Sequence, residues 1–396
     1  MPLAIYILGF SIFAQGTSEL MLAGLLTEMA ADLDVSVPQA GLLISAFALG
    51  MLVGAPVLAV VTLRWPRRDA LLVFLAVFIV AHIVGALTPG YWVLFATRVV
   101  GAFVYAGFWA VAATAALGLV PANARGKAMS VVAGGLTVAT IAGLPAGTVI
   151  GQHLGWRAAF WAVAALSAVA MAGVTATIPG GRPAETPELR RELRTMARPR
   201  LWLAYGTTAL STGALLVTFG YLGALLTGTT GVPERWVPAV LAVYGVGALL
   251  GITAGGRTSD AHPFRTLFAG VTGLTVISVA LALAAGTAIA VVALVFLLGA
   301  FGFATNPALN TRVFALAEGA PTLAAAANVA AFNVGITAGP WLGGLAIGGG
   351  LGYPSVAWIG AALGLAALGT VAWAAVLQRR KAGTERIHSV PAFTDA

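Results

Sequence analysis

Cysteine is absent from the 396 residues, which excludes a disulfide framework, an iron–sulfur cluster and a thiolate metal site, and leaves the redox compartment undetermined. Charge is scarce too: 21 basic and 13 acidic residues make up 9% of the chain, against a usual share of about 25%. That is too little polar surface to solvate a globule of this size, so a water-soluble enzyme is excluded. The only lysines are Lys127, followed by Ala128, and Lys381. Neither belongs to a G-x-x-x-x-G-K-[ST] phosphate loop, which excludes an ATP-driven pump in this chain. The histidines His82, His153, His262 and His388 are scattered without ligand spacing, so no metal cluster and no membrane enzyme is expected.

What is abundant is apolar length. Hydrophobic residues form 60% of the chain and the mean hydropathy is +0.96, which excludes disorder in spite of the 50 glycines and points to helices packed in lipid. Windows of ~20 residues predict twelve spans, helices 1 to 12, over 3–26, 40–62, 70–88, 92–118, 128–150, 158–178, 201–226, 237–256, 266–286, 288–311, 323–346 and 355–377. No basic residue precedes Arg64, so the first span lacks the basic leader of a signal peptide and is read as retained. With a cytoplasmic N-terminus, every Lys and Arg except Arg98, Arg157 and Arg235 falls in an inner loop or tail. Both termini are therefore expected in the cytoplasm. The pI near 10.4 thus reflects topology rather than nucleic-acid binding, and no aromatic and basic face suited to stacking bases is present.

Shifting the chain on itself by 197 positions pairs Gly50 with Gly247, Gly54 with Gly251, Pro66 with Pro263, Arg68 with Arg265, Gly147 with Gly344 and Trp161 with Trp358, all without a gap. The expected organisation is all-α and integral to the membrane, with two pseudo-symmetric six-helix bundles over 1–178 and 201–378. A Pro-, Arg- and Glu-rich cytoplasmic linker, 179–200, joins them, and a tail, 379–396, follows. Parallel six-helix repeats are a transporter solution, in which two bundles rock about a site held between them.

The loop from Gly256 to Arg265, with Asp260, is similar to the G-x-x-x-D-R-x-G-R loop of the major facilitator superfamily, and its counterpart near Arg64 and Arg68 keeps the basic cluster but has Leu63 where the family has Asp. Helix 11 carries Gly335-x-x-x-Gly339-Pro340-x-x-Gly343-Gly344, similar to the antiporter G-x-x-x-G-P-x-x-G-G pattern, and helix 5 carries a looser form with Gly143, Pro145 and Gly147. Such residues serve either as a packing seam or as a gating hinge. Over nearly the whole chain the sequence resembles the major facilitator superfamily in its twelve-helix drug:proton antiporter branch. Gln15-Gly-Thr-Ser-Glu19-Leu, Val35-Ser-Val-Pro-Gln and Gly155-Trp-Arg-Ala-Ala-Phe-Trp161 narrow this to something that looks like the actinomycete chloramphenicol resistance exporters. The arabinose-efflux-like permeases share much of the pattern. The resemblance implies gating roles for Arg64, Arg68, Asp260 and Arg265.

Glu19 is the one carboxylate inside a predicted span. A charge at the bilayer centre costs about 2.5–3.5 kcal/mol on insertion scales, so such a residue belongs beside a cavity or a partner. Arg98 lies at matching depth in helix 4, and the pair is expected to couple protons. Gln15, one turn before Glu19, is placed to bond a polar ligand. Tyr105, Phe108 and Trp109 in helix 4 and Phe219 and Tyr221 in helix 7 suit an amphipathic pocket. Asn306, Asn310, Asn328 and Asn333 serve as interhelical glue or as ligand contacts. His82, a lone histidine on an apolar helix, is left out of the site as packed and neutral. The expected function is efflux of an uncharged amphipathic drug, chloramphenicol first, driven by a proton gradient without cofactor or metal, by a monomer in the plasma membrane. The alternatives are export of a sugar or other metabolite and a broader multidrug range.

Overall fold

The computed structural model describes residues 1–62, 65–121, 124–180, 198–259, 261–317 and 321–388. Among them there is no strand. Twelve helices are long and apolar enough to cross a membrane: α1 (Leu3–Gly24), α2 (Val37–Leu58), α3 (Arg67–Leu87), α4 (Tyr91–Gly118), α5 (Val131–Leu154), α6 (Trp156–Thr177), α7 (Pro199–Gly228), α8 (Glu234–Ser259), α9 (Pro263–Ala284), α10 (Ala288–Leu316), α11 (Ala327–Gly348) and α12 (Ser355–Gln378). In hydrocarbon each backbone N–H and C=O must be bonded within its own segment, which is why apolar runs of this length become helices. An even number of crossings brings the start of α1 and the end of α12 to one face, here called the basic face because, among the described residues, Arg67, Arg68, Arg198, Arg200, Arg257, Arg265 and Arg312 lie at the helix ends on it. Of the expected linker and tail, residues 181–197 and 389–396 lie outside the described residues, as do Arg64 and Asp260.

Packing repeats in the two halves. In the first, α2 packs on α4, α3 on α4 and α6, and α1 on α5 and α6; in the second, α8 packs on α10, α9 on α10 and α12, and α7 on α11 and α12. The register of 197 persists at atomic scale. A methyl group on Gly50 would meet the Val99 carbonyl carbon at 3.0 Å, and one on Gly247 would meet that of Phe296 at 3.0 Å. Gly54 against Phe103 and Gly251 against Ala300 keep the same register. Glycine at these four positions lets two helix backbones touch, the source of helix association where lipid removes the hydrophobic drive.

Three helices are interrupted. Helix α1 is α-helical over Leu3–Leu20 and tightens to a 3₁₀ turn over Met21–Gly24. Helix α7 runs from Pro199 to Gly220, halts at Tyr221 and resumes over Leu222–Gly228. In α5 a π turn over Ala139–Gly143 precedes Pro145. Proline lacks the N–H that would bond four residues back, so the ladder widens just before it. The interruptions of α1 and α7 meet each other near the face opposite the basic one, and the π turn of α5 packs on α8 of the second bundle. A side chain on Gly223 would meet the Ala23 carbonyl at 2.8 Å, one on Gly24 would meet Leu241 at 2.9 Å, and one on Gly245 would meet the Thr140 carbonyl at 2.8 Å. Helices α2 and α11 add the largest contact between bundles, where the Ser45 hydroxyl donates to the Thr337 carbonyl at 2.9 Å. The bundles therefore close against each other toward the opposite face.

Gly155, at φ 81°, makes the one-residue turn from α5 to α6, a conformation that favours glycine. The turn presents Trp156 and Arg157 to Asp32: Trp156 Nε1 donates to Asp32 Oδ2 at 3.0 Å, Arg157 donates to the same oxygen, and Arg157 Nη2 reaches the Thr88 carbonyl at 3.2 Å. Partial burial opposes ionisation of Asp32, but the hydrogen bonds from Arg157 and Trp156 outweigh it and hold its carboxyl below the usual carboxylate range. A group lowered in this way stabilises the fold above its ordinary pKa and ceases to do so as pH falls through the lowered value. The pair is substantially exposed, so a double-mutant cycle of Asp32→Asn and Arg157→Gln is expected to give a coupling of about 0.2–1 kcal/mol at neutral pH. Thermal unfolding in detergent at neutral and strongly acidic pH checks it, the coupling disappearing in acid.

Candidate functional site

Glu19 sits at the last turn of regular α-helix in α1, immediately before the 3₁₀ segment. Its side chain is half-buried, and among the described residues its carboxylate makes no hydrogen bond and no ion pair. Arg98 lies seven residues into α4 from Tyr91, about 10 Å along the axis at 1.5 Å per residue. It is 2% exposed and within electrostatic range of Glu19. The structure thus brings the two expected residues near each other without joining them.

Arg98 is bound elsewhere. Its Nη1 donates to Ser18 Oγ at 2.8 Å and to the Ser18 carbonyl at 3.1 Å, and its guanidinium carbon lies 4.3 Å from the centroid of the Phe47 ring. Ser18 Oγ is also 2.6 Å from His82 Nε2, and His82 Nδ1 is 2.8 Å from the Phe78 carbonyl. These contacts fix one proton assignment. A carbonyl only accepts, so Nδ1 carries the hydrogen. The Ser18 hydroxyl then donates to Nε2 and accepts from Arg98. With a neutral imidazole the Ser18 hydroxyl and both ring nitrogens of His82 are satisfied, whereas Nε and Nη2 of Arg98 stay buried without a hydrogen-bond partner. A second proton on His82 would set Nε2–H and Arg98 both against the Ser18 oxygen and leave the serine hydrogen without an acceptor.

Ser18, His82 and Phe47 were not read as site residues from the sequence. Two signals were available. Ser18 precedes the one carboxylate inside a span expected from the sequence, and His82 lies five residues from the end of α3 at Leu87, a depth close to that of Arg98. Reading His82 as packed and neutral agrees with its bonding; its link to Arg98 through a serine 64 positions away leaves no trace in local pattern.

Around this chain, Gln15 is fully buried, its Nε2 donating to the Ser11 carbonyl at 3.2 Å while Oε1 has no partner. The Tyr105 hydroxyl is also buried without a completed hydrogen bond, close to Trp109, and its ring lies 5.9 Å from Phe47. Phe108 is buried in the core and Trp109 is half-buried. A buried acceptor and a buried hydroxyl left unmatched are costly, and both lie in the region of the unpaired Glu19.

The other expected residues divide. Phe219 stacks on Tyr244 at 4.6 Å, and Phe303 meets Tyr244 edge-on at 6.2 Å, an aromatic cluster on the second bundle. Asn310 and Asn328 join α10 to α11 at 2.9 Å, and Thr208 of α7 donates to Asn328 at 3.0 Å. Their amides are thereby committed to holding helices together. Asn306 is half-buried and its carbonyl accepts from Asn310, whereas Asn333 keeps a buried Oδ1 without a partner. Tyr221 lies in the closure itself. Its hydroxyl donates to the Pro340 carbonyl at 3.0 Å, and Gly41, Gly343 and Gly344 form a cradle in which any side chain would collide with its ring or hydroxyl. Gly339 and Gly335 face the backbone of α7, and Gly143 lies against Thr17 of α1. Arg68 is half-buried and Arg265 exposed on the basic face.

No group of three or more His, Asp or Glu suited to a metal occurs among the described residues. The model of the Major Facilitator Superfamily matches residues 8–331. The chain is 46% identical to a chloramphenicol resistance protein of Streptomyces lividans over 88% of its own length and 90% of the relative's. It is 34% identical to the inner membrane transport protein YdhP of Escherichia coli, covering 91% and 93%, and 27% identical to a probable sugar efflux transporter of Mannheimia succiniciproducens, covering 91% and 90%. Among solved structures, a bacterial homolog of the human lysosomal transporter Spinster, inward-facing and unoccupied, superposes with a TM-score of 0.70 at 16% identity over 94% of each chain. Twelve spans in two repeated bundles, a match over most of the chain and a relative of 46% identity lead to one conclusion: the chain belongs to the major facilitator superfamily, and is a multi-pass membrane transporter and not an enzyme.

Proposed function

We propose that the chain exports a small uncharged amphipathic drug, chloramphenicol first, in exchange for protons, from a plasma membrane in which the basic face is cytoplasmic. The observation that carries this reading is Glu19, a membrane-embedded carboxylate with no bonded partner beside a helix break and facing Arg98. A carboxylate so placed holds either a proton or a hydrogen-bonded ligand, and Gln15 and Tyr105 offer unmatched polar atoms beside it. Proton and drug then compete for one position as the bundles rock. The name of the Streptomyces relative supports the choice of drug, and the aromatic residues Tyr105, Trp109 and Phe219 suit an aromatic solute. Export of a sugar is the second reading, favoured by the Mannheimia relative. The bonding of Asn310, Asn328 and Thr208 to one another argues against it, because those groups are not available to sugar hydroxyls.

Labelled chloramphenicol in reconstituted vesicles tests the proposal, with uphill accumulation expected only when a proton gradient is imposed. Equal uptake with and without the gradient rejects the coupling, and uptake of labelled arabinose in its place selects the second reading.

Arg98 is held by Ser18, so Ser18 acts as a positioning residue. Ser18→Ala removes two hydrogen bonds, the one from Arg98 and the one to His82, each worth about 1 kcal/mol, a several-fold effect on an equilibrium. It is expected to displace the pH profile of drug-induced proton release in the same direction as Arg98→Ala, with Ser18→Thr restoring it. A profile identical to wild type in Ser18→Ala separates this serine from the coupling.

A further inference from the structure

The basic-face end of the second bundle holds a cavity of about 290 Å³ among α7, α9, α10 and α12. Its polar lining is Arg200, Thr311, Arg312 and Gln378, with Phe264 and Leu377 among the apolar walls, and among the described residues no carboxylate lines it. Arg312 is 7% exposed. Its guanidinium carbon lies 4.7 Å from the Phe264 ring centroid, and its Nη1 is buried without a hydrogen-bond partner. A buried cation with an idle donor is costly unless an anion completes it. The N-terminal turn of α9, a helix of 22 residues, opens on the same cavity at Pro263 and Phe264, and its unbonded N–H groups favour negative charge.

We propose that this cavity binds the phosphate of an anionic phospholipid from the leaflet at the basic face. The planar guanidinium of Arg312 offers paired donors to phosphate oxygens, with Thr311 and the exposed Arg200 at hand for the remaining ones. The same oxyanion chemistry is available to free phosphate, and the setting selects the lipid. Phe264 and Leu377 supply apolar walls, and Trp202 and Trp373, both strongly exposed, lie two residues from Arg200 and next to Ala374 of the lining. Tryptophans exposed at the end of a span mark the headgroup level of the bilayer, and basic pockets between helices at that level suit acidic headgroups. The site is separate from Glu19 and independent of the transported substrate.

Native mass spectrometry of the full-length protein in detergent, titrated with dioleoyl phosphatidylglycerol, tests this. Saturable binding of one lipid is expected, tighter than for dioleoyl phosphatidylcholine and not displaced by excess inorganic phosphate. Arg312→Gln removes one charge-assisted contact and is expected to weaken it about tenfold. Arg257→Gln, which removes an exposed charge from the same face outside the cavity, should leave it within about twofold. Where Arg312→Gln does not fold, the double variant Arg200→Gln with Thr311→Val replaces it, with a loss of several-fold expected. The proposal is overturned by unchanged binding in these cavity variants, by an equal loss in Arg257→Gln, or by no preference for phosphatidylglycerol. Displacement by inorganic phosphate assigns the cavity to the free anion and overturns the lipid source.

Discussion

Glu19→Gln is expected to reduce drug-induced proton release and proton-driven accumulation to the level of protein-free controls, while drug binding stays within about tenfold of wild type. The asymmetry follows from the geometry. Glutamine keeps the length of the side chain and an amide able to bond a ligand, but it cannot give up or take a proton. Among the described residues the carboxylate has no bonded partner, so the substitution breaks no contact that holds α1 in place, and the fold should be retained. The measurement is proton release from the purified protein on adding chloramphenicol near neutral pH, read beside equilibrium binding. Wild-type release from Glu19→Gln places the coupling elsewhere. His82, the other acid–base group at this depth, has both ring nitrogens engaged by Ser18 and Phe78, which leaves it poorly placed to take over.

Glu19 and Arg98 were legible in the sequence because a charge in a hydrophobic run stands out against its surroundings and has a known cost. The spans were legible for the complementary reason, and the repeat at 197 because the Gly50 and Gly247 contacts tolerate no side chain and so fix the residue type in both halves. What the sequence hid depends on chain segments far apart. Ser18 and His82 are ordinary residues until α1 and α3 are brought together. Tyr221 read as part of an aromatic pocket, whereas the fold seats it between α2 and α11 with its hydroxyl on Pro340. The π turn of α5 follows from Pro145 only once the ladder it interrupts is drawn. Pattern thus reveals residues that conflict with their own local setting; those that become functional through a distant partner require the packing.

The glycine cradle around Tyr221 leads to the second large effect. Gly41→Leu is expected to abolish transport and to open the face away from the basic one. Even a Cβ at Gly41 would lie 2.7 Å from Tyr221 Cζ and 2.9 Å from Cε1, and the remaining leucine atoms need space that Gly343 and Gly344 leave only for the tyrosine. Overpacking of this kind costs about 1–3 kcal/mol, against about 1 kcal/mol for the hydrogen bond to Pro340 that Tyr221→Phe would lose. The steric change therefore outweighs the polar one, and Tyr221→Phe should retain most of its transport. Gly41 of α2 and Tyr221 of α7 meet across the closed contact between the bundles, so the cost is expected to fall on closure and to shift the population toward the state open on that face. The natural absence of cysteine makes this measurable. Ser45→Cys is a small change at the α2–α11 contact, and a maleimide should modify it slowly alone and many-fold faster when combined with Gly41→Leu. Equal labelling rates together with near-normal transport would show that the contact of Gly41 with Tyr221 is not the closure on which alternation depends.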